Sequence, residues 1–213
     1  MSRPLADAFR LHLLFGLLLA PLVLLLTPPL SGLALLGWVV AYHLALPLQS
    51  LRRRHDENFQ IWRFLLPLSV FQVMPDWVLA QLLGVLVFPD LGAPRIGAVP
   101  LYMAGLWAVP LFWVVLLAGR SGLLGALLAL LIFGLAEWAA RPTQIWYARD
   151  VQQIQGVALY VLPAEALLGW ATVQAYQWQR QAGWLTGVAL AAAVSIFYTG
   201  ALVVSLFVLE RLL

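Results

Sequence analysis

IWRFLLPLSVFQVMPDWVLAQLLGVLVF, Ile61–Phe88, contains only two ionisable side chains, Arg63 at its edge and Asp76 near its centre. It exceeds the ~20 apolar residues that carry a helix across a bilayer core. A charge at that depth costs about 2.5 to 3.5 kcal/mol, so Asp76 is expected to be uncharged, partnered or functional.

The rest of the chain belongs to the same class. Of 213 residues, 63% are hydrophobic and 10% charged, with a mean hydropathy of +0.93. Both depart far from a soluble domain. The net charge of +3 does not point to nucleic acid. All 12 basic residues are arginine, and they fall between apolar runs as topology signals do. Cysteine is absent, which removes disulfides and thiolate chemistry.

Seven apolar runs are read as transmembrane helices: Ala8–Leu26, Leu30–Gln49, Ile61–Phe88, Val99–Leu117, Leu123–Ala140, Val151–Tyr176 and Trp184–Val208. The breaks carry TPP at 27–29, SLRRRHDEN at 50–58, FPDLGAPR at 88–95, GRSG at 119–122, RPTQ at 141–144 and QWQRQAG at 177–183. The expected fold is all-α, a polytopic bundle of about seven transmembrane helices forming a single domain over residues 1–213. The first run is read as a helix rather than a leader peptide, because Asp7 interrupts the would-be basic region and no A-x-A site follows. Arg3, Arg10, Arg52, Arg53, Arg54, Arg63, Arg120 and Arg180 fall on the amino-terminal side; Arg95, Arg141, Arg149 and Arg211 fall on the other. The bias puts the N-terminus in the cytoplasm. The expected location is a membrane, the inner (cytoplasmic) membrane of a prokaryote.

The carboxylates divide in two. Asp7, Asp56, Glu57, Asp150 and Glu210 lie at span ends or in loops, where water solvates them. Asp76 and Glu165 fall near mid-span, and Asp90 and Glu137 near the outer ends of the third and fifth spans. VMPDW and VLPAEA each set an acid one or two residues after a proline, which opens the helical hydrogen-bond ladder and is tolerated where protein or water resatisfies it. Both acids are therefore expected to face an interior. Their spans run in opposite directions, which raises an inverted repeat around a midplane site. The competing structural reading makes Asp76 a helix cap and Glu165 a hydrogen bonder to a neighbour.

Trp77, Trp107, Tyr147, Tyr160 and Trp170 are candidates to line an apolar pocket with these acids, because aromatic faces stabilise cations. Trp62, Trp146, Trp178 and Trp184 suit an interfacial belt. Asp90 and Arg95, five residues apart around a Gly-Ala-Pro turn, are expected to pair across the loop. With Arg141, Arg149 and Glu137 they would form a polar cavity mouth suited to a lipid phosphate or diphosphate head.

The stretch Ile145–Tyr176, with Trp146, Tyr147, Gly156, Pro163 and Glu165, resembles the integral-membrane lycopene cyclases and, more loosely, the membrane-bound terpene cyclases. In that pattern a P-x-E-E motif is followed by aromatic residues. Here Ala166 stands where the second acid would be, and Leu167, Leu168 and Trp170 replace the phenylalanine-rich continuation. The resemblance implies an intramembrane enzyme acting on an isoprenoid or lipid by acid-initiated cyclisation or isomerisation, as in carotenoid biosynthesis. Asp76 and Glu165 would then be proton donor and cation stabiliser in unassigned order.

Two alternatives stay open. One is a proton-coupled transporter using the same acids; the other is a structural or pigment-binding subunit of a membrane complex. No cofactor or metal is expected. His12, His43 and His55 are too few for a histidine-rich diiron centre, and His43 is read as a packed hydrogen bonder ahead of an axial ligand. No nucleotide-binding, zinc-protease or serine-elbow motif occurs. The expected partners are an isoprenoid or lipid and the membrane, with a homo-oligomer or a membrane complex open and no nucleic acid.

Overall fold

An apolar segment satisfies its backbone most fully by coiling on itself, and the chain is mostly helical. The computed structural model describes residues 3–180 and 182–212, without the side chains of Ala20, Arg211 and Leu212; Arg211's place in the arginine bias lies outside them.

Helices α1 (Arg3–Leu25) and α2 (Leu30–Arg53) form a hairpin. Trp38 donates its indole N–H to the Phe15 carbonyl at 2.9 Å, and Tyr42 and the His12 ring are hydrogen-bonded at 2.9 Å. Helix α3 (Asp56–Phe71) continues through α4 (Val73–Trp77) into a π-helical turn at Val78–Leu82. Strand β1 (Leu86–Val87) and the hairpin of β2 (Arg95–Ile96) with β3 (Val99–Pro100) then lead to α5 (Met103–Leu106) and α6 (Ala108–Ala118). Helix α7 (Gly122–Ala140) is followed by β4 (Tyr147–Ala148), the hairpin of β5 (Gln153–Ile154) with β6 (Val157–Ala158), and α8 (Val161–Gln179). Helix α9 (Trp184–Phe207) ends in a second π-helical turn.

Five of these rods are long and apolar enough to cross a membrane: α1, α2, Asp56–Leu82, α7 and Trp184–Glu210. The α5–α6 rod is apolar but shorter. Helix α8 is long enough but more polar, and it is sheltered: Glu165, Thr172 and Gln179 are buried where it packs on α3, α6, α7 and α9.

Three of the expected span limits move. The third rod stops at Leu82 rather than Phe88, because Gly84 turns the chain at φ +69° into β1. The fourth begins at Met103 rather than Val99, and the sixth at Val161 rather than Val151, because the preceding residues form two-residue β-hairpins. At the second turn Gln155 and Gly156 both have positive φ, 55° and 78°, as a type I′ turn requires.

The two hairpins belong to an internal repeat. Ile96, Val99, Leu101 and Tyr102 recur 58 positions on as Ile154, Val157, Leu159 and Tyr160, and the registers match, Ile96 opposite Val99 and Ile154 opposite Val157. The pair Asp76–Trp77 recurs 61 positions on as Glu137–Trp138. The longer connection from β1 to β2 absorbs the difference of three. Strands β1 and β4 pair antiparallel, Leu86 with Ala148 and Val87 with Tyr147, as a two-fold axis between the halves requires. The equivalent helices α3–α4 and α7 both lead into that paired strand end. The repeat is thus parallel rather than inverted, and it relates Asp76 to Glu137 rather than to Glu165.

Helices α7 and α8 approach closely through glycines. A Cβ added at Gly169 would collide with Ala129 and the Gly125 carbonyl, and one at Gly125 would press on Val173. Gly169→Ala is expected to destabilise by about 1–3 kcal/mol, because backbone must move. Gly200→Ala, in open space on α9, gains helix propensity instead. Thermal unfolding in detergent of the two variants checks this; equal midpoints would contradict it.

Candidate functional site

The deep acids approach the site from three rods. Asp76 lies on α4 beyond Pro75, whose ring nitrogen cannot bond the Phe71 carbonyl; Ser195 of α9 supplies the missing donor at 2.8 Å. The break expected from the proline is resatisfied by a neighbouring helix. Pro163 behaves differently. It falls in the first turn of α8, where a proline removes no helical bond.

All three acids sit near the hairpin end of the bundle rather than at mid-span. Asp76 precedes the end of its rod at Leu82, Glu137 precedes the end of α7 at Ala140, and Glu165 follows the start of α8 at Val161. At 1.5 Å per residue they stand roughly 5 to 9 Å below those ends.

They line one partly enclosed apolar cavity of about 560 Å³. Asp76 and Glu165 are buried, at 3% and 2% exposure. Asp76 Oδ2 accepts the Trp107 indole N–H at 3.0 Å, and Glu137 Oε1 accepts that of Trp146 at 2.7 Å. Glu165 Oε2 is buried without a hydrogen-bond partner among the described residues. Trp107 itself packs against Phe133 and Tyr198, with ring centroids 5.3 and 5.7 Å away. Tyr160 and Tyr198 join the wall, and among the described residues no arginine or histidine does. At the position equivalent to Glu165, 58 residues earlier, the first half of the repeat carries Trp107. The halves differ where the indole that serves Asp76 is exchanged for an unpartnered acid.

Of the candidate site residues singled out in the sequence, Asp76, Glu137, Glu165, Trp107 and Tyr160 meet at this cavity; Trp77, Trp170, Tyr147, Asp90 and Arg95 do not, nor do Arg141 and Arg149. The Trp77 indole lies against Gly97 in the first hairpin turn, where a Cβ would press on its ring. Trp170 is 45% exposed and packs beside Phe197 and Gly122. Tyr147 is 41% exposed, since β4 turns Trp146 inward and Tyr147 outward. Asp90 and Arg95 do not pair: Asp90 Oδ1 accepts the Gly92 N–H at 3.0 Å, while Arg95 donates to the carbonyls of Phe88 and Ala98. Each is held by its own loop, away from the cavity wall.

His43 bonds the Gly105 carbonyl at 2.9 Å and accepts the Trp62 N–H at 3.2 Å, so both ring nitrogens are engaged. Among the described residues no three His, Asp or Glu side chains are grouped to hold a metal ion. Tyr198 and Trp146 are among the wall residues that escaped sequence reading as site residues. Tyr198 carries no local signal in IFYTG, and Trp146 reads as an interfacial aromatic until β4 turns it onto Glu137. Beside the site, Gln72, a helical turn before Asp76, is a buried amide with neither polar atom bonded among the described residues.

Residues 73–209 match the family described as Domain of unknown function (DUF6989). The chain belongs to this family. The DUF6989 region takes in α4 to α9, hence both halves of the repeat from Asp76 onward, all three acids and both indole donors. Helices α1 and α2 lie outside the match, yet Leu19, Val23, Leu35 and Trp38 contribute to the cavity wall. No curated protein and no solved structure matches the chain.

Proposed function

We propose that this DUF6989 protein is an integral membrane enzyme that protonates an alkene of an isoprenoid or related lipid and carries it through cyclisation or double-bond isomerisation. The observation that carries the reading is the meeting of three carboxyl groups on one apolar cavity with indole and phenol rings and, among the described residues, no basic side chain. Its volume falls within the roughly 300–1,000 Å³ usual for small-molecule sites.

Glu165, with an oxygen that has no partner among the described residues, is the proton donor. Its O–H bond breaks as the alkene π pair forms a C–H bond at the less substituted carbon, leaving a carbocation at the other. Asp76, held by Trp107, is the counter-charge, and the faces of Trp107, Tyr160 and Tyr198 add cation–π stabilisation. In cyclisation a second π pair closes the ring. In either course a neighbouring C–H returns its proton to the Glu165 carboxylate, so nothing is oxidised and the donor is regenerated.

The same reading takes the seven rods as seven crossings of a prokaryotic inner membrane, with the N-terminus in the cytoplasm. Helix α8 crosses inside a ring of more apolar neighbours. The resemblance to the lycopene cyclases is consistent with this chemistry through Glu165. A transporter reading lacks a comparable observation, since the acids meet in a largely apolar chamber.

Expression in a carotenoid-producing bacterial host, followed by lipid extraction and mass spectrometry, tests the proposal. A product isomeric with a host isoprenoid is expected with the wild type and not with Asp76→Asn. Identical isoprenoid profiles for wild type and empty vector, with folded protein in the membrane, would overturn it.

A further inference from the structure

The arginines on the hairpin side are not used alike. Arg95 is spent on two carbonyls. Arg149 donates to the Gly84 carbonyl at 3.1 Å and lies 3.6 Å from Asp150. Arg141 has neither a carboxylate nor a carbonyl partner among the described residues. It follows Glu137 by four residues, the helical spacing at which such a pair ordinarily forms. Instead the Glu137 carboxyl turns to Trp146, and Arg141 lies along the second hairpin turn at Gly156. There φ is +78°, and a Cβ would stand 2.5 Å from Arg141 Nε. The bare glycine makes room for the arginine.

Among the described residues Arg141 is the one cationic side chain lining a second depression of about 700 Å³, with Gln144, Tyr147 and Gln153. Glu137, Ala139, Pro142 and Trp146 belong to its wall and also to the wall of the apolar cavity. A more polar open depression with an unpartnered guanidinium therefore adjoins the apolar cavity with its unpartnered acid.

We infer that the second depression is a headgroup site, which takes the phosphate of an amphiphile whose isoprenoid tail fills the apolar cavity. The inference rests on the isoprenoid reading above and narrows it from a neutral hydrocarbon to a phosphorylated prenyl chain. A guanidinium gives two parallel N–H donors to such a phosphate. Gln144 brings a further amide to the same wall, the Gln153 amide donates to the Ala148 carbonyl at 3.1 Å, and the adjoining Glu137 carboxyl is turned to its indole.

Binding to the purified protein in nanodiscs tests this without turnover, so it can fail while the enzyme reading stands, and the reverse. The probes are farnesyl phosphate, farnesol and inorganic phosphate, with affinities read from tryptophan fluorescence and calorimetry. Farnesyl phosphate is expected to bind at least tenfold tighter than farnesol, and Arg141→Gln to remove about that advantage while leaving farnesol affinity unchanged. Arg149→Gln, whose guanidinium is engaged elsewhere, is expected to keep it. Equal affinities for farnesyl phosphate and farnesol would overturn the inference. So would an Arg141→Gln loss shared equally by both, or inorganic phosphate binding as tightly as farnesyl phosphate, which would mark a free-anion site. Thermal unfolding of Arg141→Gln near the wild-type midpoint keeps the comparison valid.

Discussion

Glu165→Gln is expected to lower isoprenoid turnover by about 10²- to 10⁴-fold, the usual worth of a positioned proton donor. The substitution keeps size and polarity but gives a side chain with no acidic proton. Because Glu165 Oε2 bonds nothing in the described structure, no structural hydrogen bond through that atom is lost, and the unfolding midpoint should stay near that of the wild type. Affinity for farnesyl phosphate should also persist, which separates a lost chemical step from a lost site. Turnover within threefold of the wild type would remove Glu165 from the chemistry.

The second large effect is expected at Asp76 and its indole. Asp76→Asn still accepts from Trp107 but loses the charge opposite the cation; removing such preorganised stabilisation commonly costs roughly 10²- to 10³-fold in rate. Trp107→Phe keeps most of the ring and removes the N–H that fixes the carboxyl. About tenfold is expected there, along with a wider spread of alkene products as the counter-charge loosens. Product distributions by gas chromatography separate the two. An unchanged rate and product ratio in both variants would show that Asp76 is structural.

Much of the site was legible in the chain, for identifiable reasons. An acid inside an apolar run must be sheltered, so the sequence alone points Asp76 and Glu165 inward, and the proline before Asp76 calls for an outside donor, which Ser195 supplies. Their depth was misjudged because β-hairpins with two-residue strands leave almost no periodicity, and Val99–Pro100 and Val157–Ala158 read as span. The aromatic candidates divided by helical geometry. Trp77 adjoins Asp76 and Trp170 follows Glu165 by five, so neither shares the acid's face of its helix, whereas Trp107 reaches Asp76 from a separate element.

The repeat was hidden by chemistry and by length. Its acids are Asp76 and Glu137, different residues of one type, and a three-residue difference in the loops shifts the spacing from 61 to 58. Only the matched registers of β2–β3 and β5–β6, with β1 paired to β4, bring the halves into correspondence. Once aligned, they place Glu165 where its counterpart is a tryptophan, a substitution that no single segment announces. Arg141 was grouped with Arg95 and Arg149 because all lie near loops. Their partners, which depend on turns at Gly84, Gly97 and Gly156, tell them apart.

Turnover in deuterated water tests the central claim most directly. If Glu165 delivers a solvent-derived proton to the alkene, the wild-type product made in D₂O retains deuterium at one carbon and Glu165→Gln forms no labelled product. A product free of deuterium, or equal labelling by the wild type and Glu165→Gln, would contradict the account.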